Sequence, residues 1–183
     1  MTAIFRPDWR AKRVCDITPE WLDAHHLDTL LLDADCTLKR YRQLEPQPAV
    51  IAWIEELRRR DVRLCIVSNG LGPRLQAFAD RLSLPVIFRA MKPHPQGVRR
   101  AMIRFGSTPE RTAMVGDQIF ADIVAGRRAG VTTILVDPLA PEEEHWYTRL
   151  KRPFERMVLR YWRKHGTLPP YLSSTVGTDL DVS

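Results

Sequence analysis

The sequence predicts an α/β fold, a parallel sheet flanked by helices, and three observations predict it. Between Thr29 and Val136, short apolar runs alternate with amphipathic stretches, the pattern of successive βα units. The runs are almost continuously apolar rather than alternating, which fits strands buried on both faces. Acidic and hydroxyl residues follow directly after these runs, where a parallel sheet gathers its ligands.

Taken in order, Thr18 followed by Pro19 reads as an N-cap with proline at the first helical position, so a short helix leads toward the sheet. Five runs then read as strands: 29–32, 62–67, 85–88, 112–115 and 131–136. Between them, apolar residues recur every three or four positions. Val50, Trp53, Ile54 and Leu57 form one stripe, Leu71, Leu75, Phe78, Ala79 and Leu82 a second, and Val98, Ala101, Met102 and Phe105 a third. A fourth helix spans about 118–128 and stops near Gly130, a residue suited to a helix C-cap. Pro138, Pro141 and the three glutamates from Glu142 to Glu144 mark a loop leaving the sheet. Arg149, Lys151 and Arg152 precede a last helix from Pro153. It carries Phe154, Met157, Val158, Tyr161 and Trp162 on one face, and Arg156, Arg160, Arg163 and Lys164 on the other. Residues 1–165 are expected to form one domain and 166–183 a loose tail.

Composition narrows the function classes. Cys15, Cys36 and Cys65 form no CxxC pair and no zinc quartet, so reduced thiols and a cytoplasmic setting are expected. No stretch reaches the ~18–20 apolar residues of a membrane span, and the N-terminus lacks the apolar core of a signal peptide. A formal charge of +6 favours anionic partners: a phosphorylated substrate, an anionic membrane surface or nucleic acid.

The residues after the runs carry the chemistry. The first run ends in Asp33-Ala34-Asp35-Cys36-Thr37, the second in Ser68-Asn69-Gly70, the third leads to Lys92-Pro93, and the fourth ends in Gly116-Asp117 with Asp122 following. A parallel sheet puts all of them on one rim. Like charges ~5 Å apart repel by about 3 kcal/mol at an effective dielectric near 20, so a cation is required. An all-oxygen ligand set suits magnesium. One of Asp33 and Asp35 can then attack phosphorus while the other handles the leaving-group proton. Ser68 and Lys92 can hold phosphoryl oxygens, with Thr37, Asn69 and Gly70 lining the substrate. Asp117 completes a metal site opposite Asp33, and Asp122 either binds a metal-bound water or fixes Lys92.

This ordered set, DxDxT, a serine ending the second strand, Lys-Pro and GDxxxxD, resembles the motifs of the haloacid dehalogenase (HAD) superfamily of phosphatases. The resemblance implies a Rossmann-like core with strand order 5-4-1-2-3 and a magnesium-dependent aspartyl-phosphate mechanism. It assigns the nucleophile to Asp33, the acid/base to Asp35, and the metal ligands to Asp33, the Asp35 backbone carbonyl and Asp117. The segments TLLLDADCTL, IVSNG, RAMKPHPQG and MVGDQIFADIVAGRRAG are similar to the YqeG group, whose relatives include phosphatidylglycerophosphate phosphatases. The substrate implied is therefore a lipid phosphomonoester, with a sugar phosphate, nucleotide or phosphoprotein as alternatives. Cys36 stands where that pattern usually has asparagine or glycine.

The intervals from Asp33 to Ser68 and from Ser68 to Lys92 are each consumed by one helix and one strand, leaving no room for a cap domain. An open rim would admit a phosphate carried on a large body, and the basic last helix is a candidate for peripheral membrane contact. Two rivals fit less well. A phosphate-accepting receiver domain needs an aspartate after the third strand, where this chain has Lys92. A noncatalytic nucleic-acid module leaves the acidic rim unexplained.

Overall fold

A computed structural model describes residues 3–41, 43–143 and 146–172. Its centre is a parallel sheet in which β2 (Thr29–Leu32) pairs with both β3 (Arg63–Val67) and β5 (Thr112–Gly116). On one side β3 pairs with β4 (Val86–Ile87), and on the other β5 pairs with β6 (Thr132–Val136). All four residues of β2 are buried. Each fully buried leucine there contributes roughly 1.5–3 kcal/mol, and the central strand is thereby fixed as the base of the site.

For the five expected strands the order is the expected one, but the sheet has six strands. β1 (Trp9–Ala11) adds to the far edge, pairing Trp9 with Ile134 and Ala11 with Val136. Three residues are too few to show a period, and this strand is held by side chains that lie outside it. Asp8 Oδ2 accepts from Thr133 N at 2.9 Å and from Thr133 Oγ1 at 2.8 Å, and the Trp9 ring meets Trp21 edge-on at 5.6 Å. The start of the expected tail is tied to the same strand: Arg10 N donates to Pro170 O at 2.9 Å and Leu172 N to Arg10 O at 2.7 Å. The rest of that tail, 173–183, lies outside the described residues.

The helices cover both faces. α1 (Pro19–Ala24) opens as its sequence predicts, with Thr18 Oγ1 accepting from Trp21 N at 3.2 Å. α2 (Pro48–Arg59) buries Val50, Trp53, Ile54 and Leu57, and Trp53 Nε1 donates to Ile17 O at 2.8 Å. α3 (Pro73–Arg81) buries Leu75, Phe78 and Ala79, whereas Leu71, expected on that stripe, precedes the helix and is 61% exposed. α4 (Gln96–Phe105) buries Val98, Ala101 and Met102. The expected fourth helix is a π-helical turn at Ile119–Ile123 followed by α5 (Val124–Ala129), closed by Gly130 in the left-handed conformation.

The last helix departs most from expectation. α6 (Trp146–Lys164) starts before Pro153 and carries that proline inside it, at the cost of one main-chain hydrogen bond. Its buried stripe is Arg152, Glu155 and Trp162, with Val158 and Leu159 half-buried, while Phe154, Met157 and Tyr161 stay 59%, 59% and 53% exposed. The helix is rotated from the simple apolar face because a buried ion pair, not an apolar side chain, leads its contact with the sheet.

Candidate active site

The end of β2 delivers Asp33. Its amide still belongs to the sheet, donating to Val115 O at 2.9 Å, and its carboxylate is buried. The chain then turns at Cys36, where φ is 61°. An L-residue bears a cost of roughly 1–2 kcal/mol in this left-handed region, which glycine avoids and asparagine tolerates. That is the physical reason for the asparagine or glycine usual in the resembling pattern. Here the turn is secured by Cys36 N donating to Lys39 O and Cys36 O accepting from Leu139 N, both at 2.7 Å. Thr37, expected on the substrate, donates its hydroxyl to Asp117 Oδ1 at 3.2 Å.

Lys92 is the second buried charge. Its ammonium reaches Asp33 Oδ1 at 2.5 Å, Val67 O at 2.7 Å and Asp122 Oδ1 at 2.7 Å. Burial alone would push this amine down, yet Asp122 and Asp33 outweigh it and hold the ammonium well above its ordinary value. Asn69, also expected on the substrate, brackets the lysine's backbone instead: Nδ2 donates to Lys92 O at 2.8 Å and Oδ1 accepts from Lys92 N at 2.7 Å. Ser68 is buried beside it, its Oγ accepting from Gly70 N at 3.1 Å while its own proton points to no protein acceptor among the described contacts.

β5 ends in Gly116, and a glycine is required there. A Cβ at that position would lie 2.3 Å from Asp122 Cγ, so only a hydrogen lets the Asp122 carboxylate pack onto the strand end. Asp122 sits on the π-helical turn, where Gln118 N donates to its Oδ2 at 3.0 Å. Its Oδ1 faces the Lys92 ammonium as a buried ion pair at 2.7 Å.

One oxygen each from Asp33, Asp117 and Asp122 lies within 4.8 Å of the others, close enough for one ion to reach all three. Burial pushes the Asp33 carboxyl up to about 7; Lys92 pulls it down, while Asp122 and Asp35 push it further up. Asp117 is raised well above the ordinary carboxylate range, again by burial first, against the pull of Arg152. Buried carboxylates that resist ionisation and an all-oxygen donor set, gathered within reach of one ion, fit a hard divalent cation.

Asp35 lies apart from that cluster. Its half-exposed carboxylate is paired with the buried Lys39 ammonium and faces a cleft of about 520 Å³ lined by Lys39, Tyr41, Gly70, Leu71 and Arg74. The Asp35 side chain therefore serves the cleft, and the metal role the resemblance implies for Asp35 is that of its backbone carbonyl.

Three residues of the site were not read from sequence. Lys39 holds Asp35, Arg152 Nη2 binds Asp117 Oδ2, and Glu155 holds Arg152 with Oε2 2.9 Å from Nη1. No local signal marks the last two: Arg152 and Glu155 lie in register with Leu159 and Trp162, but Phe154, Met157 and Tyr161 offer a second apolar face on the same helix.

The motif spacing, the strand order and this geometry agree with the comparisons. The sequence profile of the haloacid dehalogenase-like hydrolases matches residues 4–130. A probable phosphatase YqeG of Bacillus subtilis is 33% identical over 162 residues, covering 88% of this chain and 94% of the relative. Phosphatidylglycerophosphate phosphatases 1 of Chlamydomonas reinhardtii and Arabidopsis thaliana are 31% and 42% identical over 89% and 58% of this chain, which spans 60% and 33% of their lengths. The cobalt-bound structure of the deoxy-D-mannose-octulosonate 8-phosphate phosphatase YrbI from Haemophilus influenzae shares the fold with a TM-score of 0.50 at 17% identity, covering 78% of this chain and 91% of that one. The match of fold, motif order and sequence establishes that the chain belongs to the haloacid dehalogenase-like hydrolase family and, within it, to the phosphatases.

Proposed function

We propose that this phosphatase hydrolyses a lipid phosphomonoester of the phosphatidylglycerophosphate type at a bilayer surface, through an aspartyl-phosphate on Asp33, with magnesium as its metal. The observation that carries the chemistry is the convergence of the Asp33, Asp117 and Asp122 oxygens within 4.8 Å beside Lys92. In the first step an Asp33 carboxylate oxygen bonds to phosphorus, the ester P–O bond breaks, and Asp35, released from its ion pair with Lys39 and protonated when substrate binds, gives its proton to the departing alkoxide. Water then attacks the phosphoryl group on Asp33, Asp35 takes the water's proton, and orthophosphate leaves with Asp33 restored. The Ser68 hydroxyl and the Lys92 ammonium hold phosphoryl oxygens throughout. Magnesium, held by Asp33, Asp117 and Asp122 with the Asp35 carbonyl, would supply positive charge against carboxylates and phosphoryl oxygens.

Three observations support a lipid leaving group. The two phosphatidylglycerophosphate phosphatases are relatives over much of this chain. The cleft beside Asp35 combines Lys39 and Arg74 with Leu44, Leu71 and Leu75, of which Leu71 stands mostly exposed. The outer face of α6 presents Phe154, Met157 and Tyr161 among exposed Arg156, Arg160, Arg163 and Lys164. Each basic residue near an anionic surface is worth about 1 kcal/mol, and such a helix lies in the interface. No helix among the described residues is long and apolar enough to cross a membrane, so contact would be from the surface.

The test is hydrolysis of phosphatidylglycerophosphate in vesicles, compared with a sugar phosphate, a nucleotide and a phosphopeptide, with and without magnesium. Preference for the lipid is expected, and replacing Phe154, Met157 and Tyr161 together by serine should raise KM for vesicles without altering turnover of a soluble aryl phosphate. Equal rates on all four classes would remove the lipid assignment and leave the phosphatase intact.

The metal reading predicts a pH dependence of stability. Asp33 binds its proton near 7 in the fold but near 4 when unfolded. The stability this proton supplies is full below the unfolded value and is lost as pH rises through about 7. In chelator, melting temperature should therefore lose this contribution between pH 4 and pH 7, and magnesium should raise it far more at pH 8 than at pH 5. Thermal scans at both pH values check this, and an equal magnesium shift at both would contradict it.

A further inference from the structure

The family profile ends at residue 130, yet the site does not. Asp117 is held from outside the matched segment, by α6. Arg152 Nη2 binds the Asp117 carboxylate at Oδ2, and Nη1 donates to Asp117 O at 2.8 Å. The guanidinium thus grips side chain and backbone of one residue with its planar fork, an arrangement that lysine cannot copy. Nη1 also meets Glu155 Oε2 at 2.9 Å, and Glu155 Oε1 accepts from Phe120 N at 3.3 Å, on the π-helical turn that carries Asp122. Arg152 and Glu155 are both buried. Two charges withdrawn from water cost several kcal/mol each unless their partners are well placed, and a helix that only needed to dock could use apolar side chains there.

We propose that Arg152 is a positioning residue for Asp117: braced by Glu155, it fixes the carboxylate in the orientation a divalent cation needs, so that cation binding and docking of α6 strengthen each other. The inference rests on the metal site proposed above. The charges agree with it. Around the cluster, the carboxylates of Asp33, Asp117, Asp122 and Glu155 face two fixed cations, Lys92 and Arg152. Fully ionised, these six groups among the described residues keep two negative charges in excess, the charge of one divalent cation. Because Arg152 and Glu155 cancel each other, their pair orients Asp117 with little net repulsion of an incoming ion. By linkage, an ion that binds better when Asp117 is held must stabilise the docked helix to the same degree.

The experiment must separate positioning from simple charge, since removing Arg152 alone leaves Glu155 buried and negative. The double variant Arg152→Gln/Glu155→Gln leaves the net charge unchanged. Magnesium affinity is measured by calorimetry on the full chain, and amide exchange of 152–164 is followed with and without magnesium. Loss of outer partners of metal ligands typically costs about 10–100-fold in affinity, and the double variant should weaken binding by that factor. Arg152→Lys, which keeps the charge but not the fork, should fall between it and the parent chain. Magnesium should slow exchange in 152–164 of the parent and not of the double variant. Parent-like affinity in a folded double variant overturns the positioning role alone, as does parent-like affinity in Arg152→Lys should the double variant not fold. Failure of the parent to bind magnesium overturns the metal site and this inference together.

Discussion

Asp33→Asn is expected to abolish turnover while leaving the protein folded. The replaced oxygen is the one that would bond to phosphorus, and an amide at that position has neither the charge nor the lone-pair basicity to do so. Removal of a nucleophile that works as a unit with its neighbours costs on the order of 10⁴-fold or more in kcat. The fold should not suffer, because Asp33 contributes no packing that asparagine lacks and its burial is unfavourable to its charge, as the rise to about 7 shows. Lys92 would keep Asp122 and Val67 O as partners. In chelator at pH 8, the variant should therefore melt at or above the parent's temperature, with a smaller rise on adding magnesium. Rates on a soluble aryl phosphate and thermal scans on the same samples decide it. Turnover within tenfold of the parent would exclude Asp33 as the nucleophile, and a collapsed melting transition would mean its role in the fold had been misjudged.

The contrast between Asp33 and Arg152 shows what the sequence could disclose. Asp33, Ser68 and Asp117 follow closely on apolar runs whose burial is settled by local pattern, Lys92 lies a short loop beyond another, and a parallel sheet brings such positions to one rim whatever the helices do. Their meeting was legible because it depends on strand order and little else. Thr37 and Asn69 lie in the same segments, yet whether a side chain turns to substrate or to a neighbour depends on the local turn: the left-handed Cys36 aims Thr37 at Asp117, and the return of the chain at Lys92 brings that backbone against Asn69. Arg152 and β1 were not legible because nothing local specifies them. Three residues of strand have no period, and a helix with apolar residues around much of its circumference can dock in more than one rotation. What selects the rotation is Asp117, 35 positions earlier, pulling Arg152 inward.

Lys92→Met should cost both activity and stability, and the pH dependence of the second loss identifies its cause. The ammonium is the shared partner of Asp33 and Asp122, and methionine fills similar volume with no charge. Removing one member of a buried ion pair leaves its partner uncompensated, a loss of about 3–5 kcal/mol. For a chain of this size that is a fall of roughly 10 °C in melting temperature. The loss belongs to the ionised carboxylates, so it should be large in chelator at pH 8 and smaller at pH 5, where Asp33, with its value near 7, already carries a proton. Magnesium should return part of it by supplying the missing positive charge, but turnover should not return, because Lys92 would no longer hold the phosphoryl oxygens. Adding Asp33→Asn to Lys92→Met removes one of the stranded charges and should recover stability that neither single change predicts by addition, the mark of direct coupling. A melting temperature in chelator at pH 8 equal to the parent's would mean that the carboxylates are protonated without the lysine, and the cluster would then have no electrostatic demand for a cation.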